Sequence, residues 1–247
     1  MSLDKLIEIL CAERGERVPA LKDGEKPDYF RVLCNVRPPL PVSEEFLRLQ
    51  DEYLSQKTRE RGVTDVNDFT YAGGVALFRG DILTLNADAI VNAANSAMLG
   101  CFHPLHNCMD NAIHSAAGVQ VRLDCNAATR GRQAENGNVL VTKAYNLPSK
   151  FIFHTVGPIV RGRVTKQNET DLEKCYVSCL KKADEMKLKS IAFCCISTGV
   201  FGYPKRAAAK IAVRTVKEVL ARNESRLKVI FDVFTKEDYA IYKDILR

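Results

Sequence analysis

Nowhere in the 247 residues is there a run of 18 apolar side chains, so no segment reads as a membrane-crossing helix. The opening MSLDKLIEILCAERGER is charged throughout, so it is not read as a secretory leader, and a cytoplasmic location is expected. Internal repeats and low-complexity tracts are also missing, which excludes repeat architectures. Charge is only mildly one-sided: 36 Lys and Arg against 30 Asp and Glu leave +6, spread along the chain. With no array of aromatic and basic residues, no specific nucleic-acid partner is expected, although an anionic small ligand suits the balance. The nine cysteines are an odd number and form no short-chain disulfide framework. Reduced thiols are expected, some buried and some on a metal.

The sequence does carry ample apolar content for a core, at a length that suits one large α/β domain with an extension. Residues 1–72 read as a helical extension. Leu3, Leu6, Ile7 and Leu10 recur at helical spacing, as do Phe46, Leu49, Tyr53 and Leu54. Ser43 is an N-cap candidate for the second of these helices, and RPPLP (37–41) breaks any helix between them. From residue 73 to 247 strand and helix alternate. Strands are expected over 75–83, 88–95, 138–146, 150–160, 190–197 and 228–235, with helices over 109–128, 167–187, 205–223 and 236–246. Thr235, with Asp238 three residues on, caps the last helix. Continuous apolar strands interleaved with helices predict a three-layer α/β/α sandwich. In such a sheet, ligands sit beyond the carboxyl ends of the strands.

Three loops there carry chemistry. STGVFGYP (197–204) joins an apolar strand to a helix, and its exposed backbone N–H groups suit phosphate. In GDI (80–82), Asp81 is placed to accept from an exocyclic amine such as adenine N6, and the Ile82 backbone to contact the ring. NAAN (92–95) ends a strand, where period two sends Asn92 and Asn95 to opposite faces, so that one can hold loop backbone while the other reaches a ribose hydroxyl.

Residues 100–118 are the most informative. Cys101, His106 and Cys108 are thiolate and imidazole ligands of the kind Zn²⁺ prefers, and three protein ligands leave an open position. His103, just ahead of Pro104, is read as pointing away. Asp110 falls where a helix begins, in reach of exposed N–H groups, and can orient a sugar hydroxyl or a water. His114 is read as a satisfied helix histidine, His154 as buried, and Cys194 and Cys195 as core.

Together G-D-I, D-A-I-V-N-A-A-N, D-N-A-I-H-S-A-A-G and S-T-G-V-F-G-Y-P, in this order, resemble the macrodomain family. G-C-F-x-P-x-H-x-C narrows the resemblance to the zinc-containing macrodomains, whose microbial members have a similar N-terminal helical extension. The resemblance implies an α/β macrodomain sandwich with a central mixed sheet. It also implies a monomeric, zinc-dependent hydrolase that removes ADP-ribose from mono-ADP-ribosylated proteins. The alternative is a module that binds ADP-ribose without chemistry. Carried over by position, Asp81 and Ile82 hold adenine, and Ser197, Thr198, Gly199, Val200, Phe201 and Gly202 wrap the diphosphate, with Phe201 packing on sugar. Asn95 reaches the distal ribose beside a zinc on Cys101, His106 and Cys108, and Asp110 with Asn95 is catalytic.

Overall fold

The computed structural model describes residues 2–222 and 225–247. Three helices lead: α1 (Ser2–Glu13), α2 (Lys26–Val36) and α3 (Glu44–Arg61). Then follow β1 (Val75–Arg79), β2 (Ala89–Ala94), α4 (Met109–Ala117), α5 (Val119–Thr129), β3 (Val139–Lys143) and β4 (Phe151–Val156). The chain closes with α6 (Lys166–Glu185), β5 (Ser190–Phe193), α7 (Lys205–Arg222), β6 (Lys228–Val233) and α8 (Lys236–Leu246). The sheet runs β1-β6-β5-β2-β4-β3, all parallel except the last pair, β4 with β3. The mixed sheet follows from β3 and β4 being joined by a short turn, whereas each parallel pair needs a longer crossover.

Strand register assigns the layers. Val91 on β2, Phe193 on β5 and Phe231 on β6 lie in one row. The Phe193 ring packs at a tilt on Tyr176 of α6, and Phe231 likewise on Tyr242 of α8, so α6 and α8 cover that face, with α7 packed against both. Asn92 and His154, one residue further along their strands, turn to the other face, which α4 and α5 cover. Both caps form as read: Phe46 N–H donates to Ser43 Oγ at 3.1 Å, and Asp238 N–H to Thr235 Oγ1 at 3.0 Å.

The expected elements differ from the observed ones in several places. The single helix over 109–128 is two, broken at Gly118, whose φ of 110° is a left-handed conformation that favours glycine. A Cβ there would also lie 2.6 Å from the side-chain amides of Gln50 and Gln120. The expected strands end sooner, at Arg79, Ala94, Lys143, Val156, Phe193 and Val233, because the residues beyond them turn out as loops. Of the expected helix over 205–223, Asn223 lies outside the described residues. Helix α2 leaves little periodic signal in the sequence, because only Phe30, Leu33 and Asn35 of its residues are buried.

Helices α1–α3 have their own apolar cluster around Leu6, Ile7, Leu10, Phe30, Leu33 and Phe46, into which Val119 of α5 intrudes. The extension thereby lies on the face that carries α4. No helix among the described residues is long and apolar enough to cross a membrane.

Candidate active site

The site is laid out along one rim of the sheet, where the carboxyl ends of β1, β6, β5 and β2 stand side by side in that order. At the β1 end, Asp81 caps a short 3-10 turn (Ile82–Thr84), its Oδ1 accepting from Leu83 N–H at 3.0 Å. The Ile82 N–H opens this turn and so has no intrahelical partner. Arg61, from the last turn of α3, reaches within 3.5 Å of the other Asp81 oxygen. Next along the rim, Gly80 N–H donates to Val233 O at 3.2 Å, and Phe234 follows with 74 % of its surface exposed. An aromatic ring so exposed can stack on a planar ligand, and the sequence marks Phe234 only as part of the strand expected over 228–235. Asp232, two residues earlier, is buried, and its Oδ1 has no partner among the described residues. Burial, reinforced by Asp81, pushes its carboxyl up to about 8. An Asp inside the apolar run VIFDVF was the signal for it.

After β5 comes the loop 197–204. Ser197 adopts φ 65°, left-handed for a non-glycine residue, and its carbonyl accepts from Tyr203 N–H at 3.0 Å. The N–H groups of Thr198 and Gly202 also turn inward, to Cys195 O and Gly199 O. Of the six residues expected to wrap a diphosphate, Ser197, Gly199, Val200 and Phe201 keep N–H groups with no partner among the described residues, the last three of them consecutive along the loop. A Cβ on Gly199 would meet nothing within 4 Å, whereas Gly202 needs its φ of 69°. Cys195, expected in the core, is only half-buried.

At the β2 end the expected divergence of Asn92 and Asn95 does not occur. The strand stops at Ala94, and the turn that follows brings both amides to one carboxylate. Asn92 Nδ2 donates to Asp110 Oδ1 at 2.7 Å, and Asn95 Nδ2 to Oδ2 at 3.4 Å and to Gly100 O at 3.0 Å. Asp110 is 5 % exposed, not at a solvated helix start. Burial pushes its carboxyl up to about 6, with the Asn92 hydrogen bond and Arg122 pulling the other way. The side-chain oxygens of Asn92 and Asn95 and the Ser197 hydroxyl are buried without partners among the described residues. Such orphans are uncommon in native interiors, and these lie in two of the three loops singled out by sequence, 92–95 and 197–204. His114, read as satisfied, is another: both ring nitrogens lack a hydrogen bond, and Nε2 lies 3.5 Å from Asp110 Oδ1. Burial drives its pKa well below the usual histidine range. His154 is buried as read, with Asn92 on Nδ1 at 3.1 Å and Thr142 on Nε2 at 3.0 Å.

Directly before Asp110, the ligand atoms of Cys101, His106 and Cys108 all lie within 4.8 Å of one another. Cys101 Sγ is 3.6 Å from His106 Nδ1. A tetrahedral zinc with bonds of about 2.3 Å to sulfur and about 2.0–2.1 Å to nitrogen sets that edge near 3.6 Å, so the residues fit the ion. His103 is exposed and stays outside the cluster, its ring edge-on to His106 at 5.4 Å. Cys108 is also the N-cap of α4, its sulfur accepting from Asn111 N–H at 3.4 Å.

The family model described as Macro domain matches residues 91–212. A Staphylococcus aureus protein named Protein-ADP-ribose hydrolase is 53 % identical over 250 residues, covering 98 % of this chain and 94 % of its own. A Treponema medium protein of the same name is 46 % identical, covering 98 % of this chain and 96 % of its own. Among solved structures, the Trypanosoma brucei macrodomain in complex with ADP-ribose superposes with a TM-score of 0.68 at 30 % identity, covering 84 % of this chain and 92 % of that one.

Proposed function

The chain belongs to the macrodomain family, and from that premise we propose that it hydrolyses the bond between ADP-ribose and a protein side chain, with zinc held by Cys101, His106 and Cys108. Near-full-length relatives named as hydrolases make it an enzyme of that class. What carries the finer reading is the order of chemistry along the rim. A carboxylate and an exposed aromatic stand at β1 and β6, unpaired N–H groups at β5, and amides, a buried carboxylate and soft metal ligands at β2. ADP-ribose presents adenine, diphosphate and distal ribose in the same sequence.

In this reading Asp81 accepts from adenine N6 and the Ile82 N–H donates to the ring, while Phe234 offers its face. The N–H groups of Gly199, Val200 and Phe201 bind diphosphate oxygens. Asn95 turns its unpartnered Oδ1 to a hydroxyl of the distal ribose, and Asp110, held by two amides, accepts a proton from a water or hydroxyl beside it. When bound, zinc supplies Lewis acidity at the scissile linkage.

The direct test presents proteins mono-ADP-ribosylated at defined side chains and follows free ADP-ribose. Release from at least one linkage is expected. Binding without release from any of them would favour the non-catalytic alternative.

Two variants test the pocket. Asp81→Ala should weaken ADP-ribose binding by about 1–3 kcal/mol, the cost of a charge-assisted hydrogen bond. Equal affinities by calorimetry would remove Asp81 from the adenine site. Gly199→Glu places a carboxylate in open space, with no internal clash to disturb the fold. Its melting temperature should match wild type while ADP-ribose binding falls beyond detection, because the new charge meets the diphosphate. Retained binding would place the phosphates elsewhere.

A further inference from the structure

We propose that α2 of the N-terminal extension positions the metal-bearing loop, with Arg31 and Asn35 as its positioning residues; this rests on the reading of Cys101, His106 and Cys108 as zinc ligands. Residues 99–108 contain no helix or strand, so the loop's own backbone bonds cannot hold three ligands in convergence. The missing order comes from outside the loop. Arg31 donates to His106 O at 3.3 Å and grips Asn111 Oδ1 with Nη2 at 2.6 Å and Nε at 3.1 Å. Asn111 in turn donates its side-chain amide to His103 O at 3.0 Å and its N–H to Cys108 Sγ at 3.4 Å. One guanidinium thus bears on two of the three ligands.

Asn35, one turn further along α2, is 2 % exposed. Its Oδ1 accepts from Leu105 N–H and its Nδ2 donates to Ser115 Oγ, both at 3.0 Å. Leu105 has φ 52°, a left-handed conformation that a branched side chain resists, and it immediately precedes His106. The bond from Asn35 fixes the strained residue from outside. The third ligand is reached through Arg122, whose Nε donates to Leu99 O at 2.7 Å. Its Nη1 is held by Cys34 O at 2.9 Å and by Arg37 O, at the end of α2. An extension that served only to bury apolar surface would need its leucine and phenylalanine cluster and none of these polar contacts, each of which carries a desolvation cost. They converge on one loop.

The test uses the full chain with Arg31→Gln, Asn35→Ala and Arg31→Lys. Zinc affinity is measured by competition with a chromogenic chelator, and amide exchange of residues 99–108 in metal-free protein, alongside ADP-ribose affinity, kcat, KM and melting temperature. Arg31→Gln and Asn35→Ala should each weaken zinc binding by about 10–100-fold, the usual effect of losing an outer partner of a metal ligand. Loop exchange should quicken and kcat fall at limiting zinc, with ADP-ribose affinity and KM unchanged. Arg31→Lys should recover part of the zinc affinity, since lysine keeps a donor but not the fork. Arg31 lies outside the apolar cluster, so Arg31→Gln decides the matter even if Asn35→Ala fails to fold. Wild-type zinc affinity and loop exchange in a folded Arg31→Gln protein would overturn the proposal. If wild type held no zinc, the metal reading would fall, and loop exchange would still decide the part played by α2.

Discussion

Stripped of metal by a chelator, the full chain is expected to keep its affinity for ADP-ribose and to release ADP-ribose from modified protein on the order of 10³-fold more slowly, or not at all. The separation follows from where the three proposed zinc ligands sit. They occupy a loop after β2, while the groups proposed for adenine and diphosphate stand at β1, β6 and β5 and share no hydrogen bond with the loop. Polarisation at the scissile linkage matters in the transition state far more than in the ground-state complex, so kcat carries the loss. The ligands also lie apart from the sheet's apolar core, so the melting transition should shift little. Metal content by elemental analysis, affinity by calorimetry and release from a modified protein are to be measured on one preparation, before and after zinc is restored. Stripped protein that releases ADP-ribose at the wild-type rate would make the metal structural. A loss of binding in step with the loss of release would mean the metal helps to hold the ligand.

The layered α/β architecture could be read from sequence because its signal is local: apolar runs too short for helices, separated by helical periodicity and ended by glycine-rich loops. The candidate residues could be read for the same reason, each being a cluster within a few positions. What could not be read depends on contacts between distant segments. Asn92 and Asn95 meet at Asp110 because the strand ends one residue before Asn95, and strand ends are poorly marked by side-chain type. His114 looked like any helix histidine, since nothing in DNAIHSAAG says that both ring nitrogens are buried without partners. Helix α2 has few buried apolar positions because much of its inward face is polar, and Arg31 and Asn35 only make sense beside the loop they hold. Gly118 carries a hint of its own: a glycine inside a helical pattern here marks a true break, at a φ of 110° that favours glycine.

Asp110→Asn is expected to lower kcat by about 10²–10⁴-fold, the usual worth of a positioned acid or base, with little change in ADP-ribose affinity. The choice of asparagine follows from burial. At a solvated helix start, truncation of a carboxylate would cost only about 1 kcal/mol. In the fold Asp110 is 5 % exposed and accepts from Asn92 at 2.7 Å. Asp110→Ala would strand that buried amide and should cost about 1–3 kcal/mol of stability, so lost activity in alanine mixes chemistry with damage. Asparagine keeps the volume and one acceptor for Asn92, and only the Asn95 contact, at 3.4 Å, meets an amide in place of an oxygen. Its melting temperature should stay near wild type. Because Cys108 lies two residues away, zinc content must be measured on the same sample, so that a lost metal is not taken for a lost base. Wild-type kcat in Asp110→Asn, with zinc content intact, would remove Asp110 from the chemistry. It would then be a strut that holds Asn92 and Asn95, and the proton would have to leave through another group.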